Sequence, residues 1–165
     1  LALLAGARKA FAVDRLGQYF TLAELTRSAT ATEEGIDNSP NEAQEANLRA
    51  LVQNVLDPLR AWLGVPIYVT SGFRSAALNA AINGADDSQH SRGEAADIKV
   101  SGMSSAQLAE KIVEARSDGA IPGFDQLIHY GQSGHVHVSW DPDGSQRQAI
   151  LYSPSPSSYQ GSWIA

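Results

Sequence analysis

The sequence has no cysteine, so neither a disulfide nor a thiolate-held metal enters its fold or its chemistry. Any metal would have to be held by histidine and carboxylate. It also has no basic stripe: 12 Lys and Arg stand against 18 Asp and Glu, for a net charge of −6. Phosphate backbones are bound by clustered cations, so nucleic acid is not expected as a partner. No apolar run approaches the roughly 20 residues that cross a bilayer. The opening LALLAGARKAFA carries its basic residues after a short apolar start, the reverse of a secretory signal, so neither a membrane partner nor an export signal is expected. Internal repeats are absent too. What is present is 165 residues, 43% of them apolar, enough for one core and too few for two ordinary ones.

The pattern divides the chain into an N-terminal helical segment (1–20), one domain (21–152) and a Ser/Pro-rich, extended C-terminal tail or linker (153–165). Thr21 and Glu24 have capping-box spacing ahead of a short helix. Ser39-Pro40-Asn41-Glu42 combines an N-cap serine, a proline at the first helical position and a glutamate at N3. From there Leu48, Leu51, Val52, Val55, Leu59 and Trp62 recur at helical spacing up to the Gly64 stop. A long helix over 40–63 follows, with Pro58 a source of a kink. IYVTSG and AADIKV read as strands, AALNAAIN and SSAQLAEKIVEAR as helices, and GADDSQHSRGE as an irregular polar loop. FDQLIHY and HVHVSW flank the turn-forming GQSG as a hairpin, and RQAILYS could add one edge strand. The expected fold is α+β: a small, mainly antiparallel sheet with helices packed on it.

Side chains on one sheet face recur every second residue. A hairpin with loop 131–134 sets Tyr130 opposite His135, Ile128 opposite His137 and Gln126 opposite Ser139. His135 and His137 then share a face, while His129 points the other way, as a structural residue. Asp97 projects from a strand otherwise suited to burial, and a buried carboxylate needs a partner. If its strand neighbours the hairpin, Asp97 meets His137, and His90 can fold over to join them. Two histidines and an aspartate with an open fourth position are a catalytic-zinc ligand set. Taken singly, an HxH pair can be a surface feature and Asp97 a satisfied core acid.

Ser71-Gly72-Phe73-Arg74-Ser75, then Ser88-Gln89-His90 with Gly93, Ala95 and Asp97, then His135-Val136-His137-Val138 occur in that order. Together they resemble the zinc D-alanyl-D-alanine carboxypeptidases and their relatives among phage endolysins, which share a fold with the hedgehog signalling domain. The resemblance spans roughly residues 20 to 140. It implies that His90, Asp97 and His137 bind Zn2+, that Arg74 holds a substrate carbonyl or carboxylate and stabilises the oxyanion, and that Ser88 bonds the substrate peptide. Arg74 could instead form only a salt bridge, and Ser88 could be only a turn former. Gln126 and Tyr130, on the ligand face, are expected to touch substrate.

Relatives carry an acidic residue three positions before the last ligand histidine or on the neighbouring strand. Here those places hold Gly134 and Tyr130. His135 becomes the nearest proton acceptor, with Asp125 a weaker candidate, and Glu94 is expected in solvent. The implied activity is zinc-dependent hydrolysis of peptide bonds in bacterial peptidoglycan by a phage or prophage lytic enzyme, acting on the cell wall as a monomer or within a virion. The alternatives are a host carboxypeptidase of the same fold, and a weakly active or inactive wall-binding or phage structural protein. His2Asp also suits manganese or cobalt.

Overall fold

The structure, a computed structural model, describes residues 14–155 and 158–162. Its elements in chain order are α1 (Leu22–Thr26), α2 (Ala29–Glu34), α3 (Glu42–Leu51), a π-helical turn (Val52–Leu56), α4 (Asp57–Leu63), β1 (Ile67–Ser71), α5 (Ala76–Ala81), α6 (Gln89–Arg92), β2 (Ala95–Val100), α7 (Ser105–Ser117), β3 (Gln126–Tyr130), β4 (Val136–Ser139), β5 (Ala149–Ser155) and β6 (Ser158–Ser162). The strands form one sheet in the order β1-β2-β4-β3-β5-β6. Every pairing is antiparallel except β3 with β5. The fold is therefore α+β with a mainly antiparallel sheet, as the sequence pattern indicates.

Strand alternation sorts the residues. Ala96, Ile98 and Val100 of β2, Val136 and Val138 of β4 and Leu127 of β3 join one core with Leu48, Leu51, Val55 and Leu59 of the long helix and Leu108 and Ile112 of α7. Burying each large aliphatic side chain stabilises the fold by about 1.5–3 kcal/mol, so this face anchors the sheet. Asp97, His137 and Ile128 project to the opposite face, which bears the site.

The long helix is continuous but not uniform. Pro58 has no N–H and its ring would crowd the carbonyl four residues back. The chain answers with the π turn, in which the Asp57 N–H donates to the Val52 carbonyl five residues back. The Asp57 carboxylate accepts from the Gln18 and Tyr19 backbone N–H groups, tying down the segment before α1.

The expected helix start is two residues too early. The N-cap is Asn41, paired reciprocally with Gln44 at N3, and not Ser39 with Glu42. The Thr21–Glu24 capping box forms as read. The expected N-terminal helix falls on residues 1–13, outside the described residues, and on 14–20, which form a turn closed by the Leu16 N–H on the Phe20 carbonyl. Ser153 to Ser155, assigned to the tail, complete β5, and 158–162 form β6. β5 is thus an inner strand parallel to β3, where one edge strand was expected. Short α6 occupies part of the segment read as irregular loop.

Candidate metal centre

Three parts of the chain bring the candidate ligands together. β2 pairs with β4 so that Asp97 lies directly opposite His137. β3 pairs with β4 in the register the hairpin implies, Ile128 opposite His137. His90 arrives on α6, which is clamped from behind by α3: the Gln44 side-chain amide donates to the Ser91 carbonyl at 2.9 Å and the Asn47 amide to the Arg92 carbonyl at 2.9 Å. Gly93 ends α6 at φ +77°, and a Cβ there would lie 2.4 Å from the Gln44 carbonyl oxygen. Only glycine satisfies both the left-handed conformation and the close approach.

His90, Asp97 and His137 are all buried. The His90 Nε2 lies 3.1 Å from the His137 Nδ1, the His137 Nδ1 3.1 Å from Asp97 Oδ1, and the His90 Nε2 3.3 Å from the same oxygen. A tetrahedral zinc with bonds of about 2.0–2.1 Å requires ligand–ligand edges near 3.3–3.4 Å. The triangle has nearly that size without adjustment. The second ring nitrogens agree with it. His90 Nδ1 faces the Gly72 carbonyl at 2.7 Å, which can only accept, so that nitrogen carries the proton and Nε2 keeps its lone pair. Gly72 permits this contact with the β1 end because any Cβ would lie 2.2 Å from the Leu25 carbonyl oxygen. Three acceptor atoms converging at such distances would repel one another unless a cation joined them, so the donor set fits a divalent metal.

A family model for peptidase M15 matches residues 18–139. The chain belongs to the peptidase M15 family. No curated protein matches it. This is a family of zinc-dependent peptidases, so the buried His-Asp-His group has the composition of a metallopeptidase centre.

The remaining residues singled out in this M15 chain sort around that centre. A cleft of about 550 Å³ opens on it, lined by His135, Arg74, Ser88, Gln126 and Tyr130 together with the three candidate ligands. His135 stands with its Nε2 3.9 Å from Asp97 Oδ2 and its ring 4.6 Å from that of Tyr130. Arg74 donates from Nη2 to Asp97 Oδ2 at 2.9 Å and from Nε to the Ser71 hydroxyl at 2.9 Å. The salt-bridge alternative for Arg74 is therefore real, but its partner is the candidate ligand and not a surface acid. Ser88 is the N-cap residue of α6, yet its hydroxyl closes no cap hydrogen bond.

Burial pushes the Asp97 carboxyl upward, but the neighbouring imidazoles of His90 and His137 outweigh it and hold the group well below the usual carboxylate range. Burial lowers His137 and His135, opposed in both by Asp97. A depressed histidine is neutral at neutral pH, the form that can ligate a metal or accept a proton.

Three features escaped the sequence reading. Gln89 bridges the site to Asp125, its Oε1 3.3 Å from His137 Nε2 and its Nε2 2.8 Å from Asp125 Oδ2. Asp125 is in turn held by Arg147 at 2.6 and 2.8 Å and does not line the cleft, which removes it as a base. Glu94 pairs with Arg92 at 2.8 Å and is only 13% exposed in its side chain, whereas solvent was its expected place. His129 lies outside the cleft, its ring 5.1 Å from Tyr152. No local pattern signals a contact such as Gln89 with Asp125, because it joins residues 36 positions apart.

Proposed function

We propose that this M15 chain is a zinc peptidase that hydrolyses peptide bonds of bacterial peptidoglycan, as a lytic enzyme of a phage or prophage acting on the cell wall. The observation that carries the reading is the buried His90–Asp97–His137 triangle of tetrahedral size, facing a cleft with cation and hydroxyl groups at hand. When bound, the ion supplies Lewis acidity and a water acidified to a pKa of about 7.

The chain's own residues supply the rest. His135, neutral and beside Asp97, takes a proton at its free ring nitrogen and returns it to the leaving amine. Arg74 has Nη1 left over from its bonds to Asp97 and Ser71, and directs it to the substrate oxygen on which charge develops. The Ser88 hydroxyl, unused as a cap, bonds the peptide backbone, and Gln126 and Tyr130 line the path of the chain. A second concavity of about 690 Å³ shares Arg74 and Ile82 with the cleft and is lined also by Arg27, Thr30, Phe73 and Leu78. That room suits a peptide longer than a dipeptide and favours an internal cut over trimming of a terminal residue. The protein works as a monomer or as one component of a virion.

One observation favours a second reading, a weakly active wall-binding or assembly protein. Besides Asp97 the cleft is lined by a single carboxylate, Asp87, whose side chain is 95% exposed and paired with Arg92. Mass spectrometry of purified peptidoglycan incubated with the protein, with chelator and then with zinc restored, decides. New zinc-dependent peptide ends establish the peptidase, and their masses name the bond. Intact walls of several chemotypes after incubation with zinc-loaded protein would support the second reading.

A further inference from the structure

Behind the metal-facing side of His137 lies a row of groups whose hydrogen-bonding polarity is fixed one after another. Arg147 can only donate. Its Nε and Nη2 reach Asp125 Oδ1 and Oδ2 at 2.8 and 2.6 Å, and its backbone N–H adds a third bond at 3.1 Å. Asp125 is buried at 3% exposure, and these bonds from Arg147 hold its carboxyl below the usual range, so it can only accept. Gln89 must then present its NH2 to Asp125, and its carbonyl oxygen necessarily turns the other way, onto His137 Nε2. An amide oxygen cannot donate, so Nε2 carries the proton and Nδ1 is left with the lone pair aimed at His90 and Asp97.

We propose that Arg147, Asp125 and Gln89 form a positioning chain that sets the tautomer of His137, and through it the affinity of the centre for its metal. This rests on the metal reading of the site and extends it by 3 residues outside the ligand set. Groups that orient a ligand histidine in this way are commonly worth 10–100-fold in metal affinity. The chain enters from the surface, where Arg147 is 59% exposed, and only its last member, Gln89, lines the cleft. Asp125 and Arg147 can therefore be altered without changing the lining of the cleft.

Asp125→Asn provides the decisive perturbation. The new amide can donate to Gln89, which lets Gln89 rotate, offer its own NH2 to His137 and move the imidazole proton to Nδ1. Two readouts are taken on the full chain: zinc affinity by competition with a chromophoric chelator, and the His137 tautomer in the metal-free protein from two-bond 1H–15N correlations. Asp125→Asn and Gln89→Leu are each expected to weaken zinc 10–100-fold, and Asp125→Asn to populate the Nδ1–H form. Combining Gln89→Glu with Asp125→Asn restores an acceptor toward His137 and a donor toward position 89, so affinity and tautomer should recover toward wild type. A merely structural role would lower the melting temperature of all three variants without moving the tautomer or showing rescue. Wild-type zinc affinity and an unchanged tautomer in folded Asp125→Asn would overturn the proposal. Failure of the wild-type protein to bind zinc would instead overturn the metal reading, and the tautomer of its metal-free form would still test the chain.

Discussion

The two faces of the central sheet are built from the same strands and do opposite work. In β2 the residues Ala96, Ile98 and Val100 enter the core under the helices, while Asp97 between them faces the cleft. In β4 Val136 and Val138 do the first and His137 the second. One face is apolar and indifferent to pH. The other gathers a carboxylate, imidazoles and a guanidinium at distances that suit a metal ion. Because strand periodicity is two, a slip of one residue would send the ligands into the core and the valines into the cleft. The same apolar contacts that stabilise the sheet thus fix where the chemistry points.

The largest expected effect comes from breaking the polar face alone. Asp97→Asn keeps the shape of the side chain and removes its charge. Metal content by atomic emission should fall to background and hydrolysis of peptidoglycan should drop by about three orders of magnitude or more, several kcal/mol of lost transition-state stabilisation. Full zinc content in the folded variant would remove Asp97 from the ligand set. Breaking the other face should give the converse. Ile98→Ala, one residue along, opens a cavity in the core and is expected to cost about 2–5 kcal/mol in denaturant unfolding. Zinc affinity and turnover of the fraction that remains folded should stay within a few-fold of wild type. A variant that loses both together would show that the faces are not separable.

This division of labour also explains what could be read in advance. Alternation within β2 and β4 and the short 131–134 loop are local signals, so the register that sets Ile128 opposite His137 and the shared face of His135 and His137 were legible. The clustering of His90, Asp97 and His137 was legible because two of these candidate ligands fall within SQHSRGEAAD, where the spacing survives in one dimension. The start of the long helix was misplaced because two capping sets overlap there, and the reciprocal Asn41–Gln44 pair prevailed over Ser39 with Pro40. The parallel pairing of β5 with β3 and the Gln89–Asp125 contact were invisible, since both join segments far apart with no periodicity to connect them.

A subtler contrast lies in pH. Among the described residues the apolar face has nothing to titrate in its core, whereas His137 and His135 have values depressed by burial. The unfolded chain takes up protons on these groups below about 6.5 while the fold resists them. Stability of the metal-free protein should therefore decline as pH falls from about 6.5 through the depressed folded values. Asp97 and Asp125 are depressed carboxyls, so their contribution is full above about 4 and is lost in turn as pH falls through their folded values. Thermal melts in chelator from pH 8 to pH 3 should show both declines, and the decrement caused by Ile98→Ala should stay nearly constant above pH 6.5. A flat profile between pH 7 and pH 5 would mean that the histidines are not held neutral by the fold.

The smallest effect tests the one element that serves both faces. Gln44 closes the capping box of α3, its Oε1 accepting from the Asn41 N–H, and its Nε2 holds the Ser91 carbonyl of the turn that carries His90. Asn41→Ala removes only the cap and should cost about 1 kcal/mol of stability with zinc affinity unchanged. Gln44→Ala should cost a similar amount and also weaken zinc by a few-fold, because α6 loses a tether beside a ligand. Chemical denaturation and chelator competition on the two variants separate these contributions. Equal zinc affinities would show that Asn47 on the Arg92 carbonyl and the close packing of Gly93 on α3 suffice to hold His90, so that the helical layer positions the ligand by shape and not by this hydrogen bond.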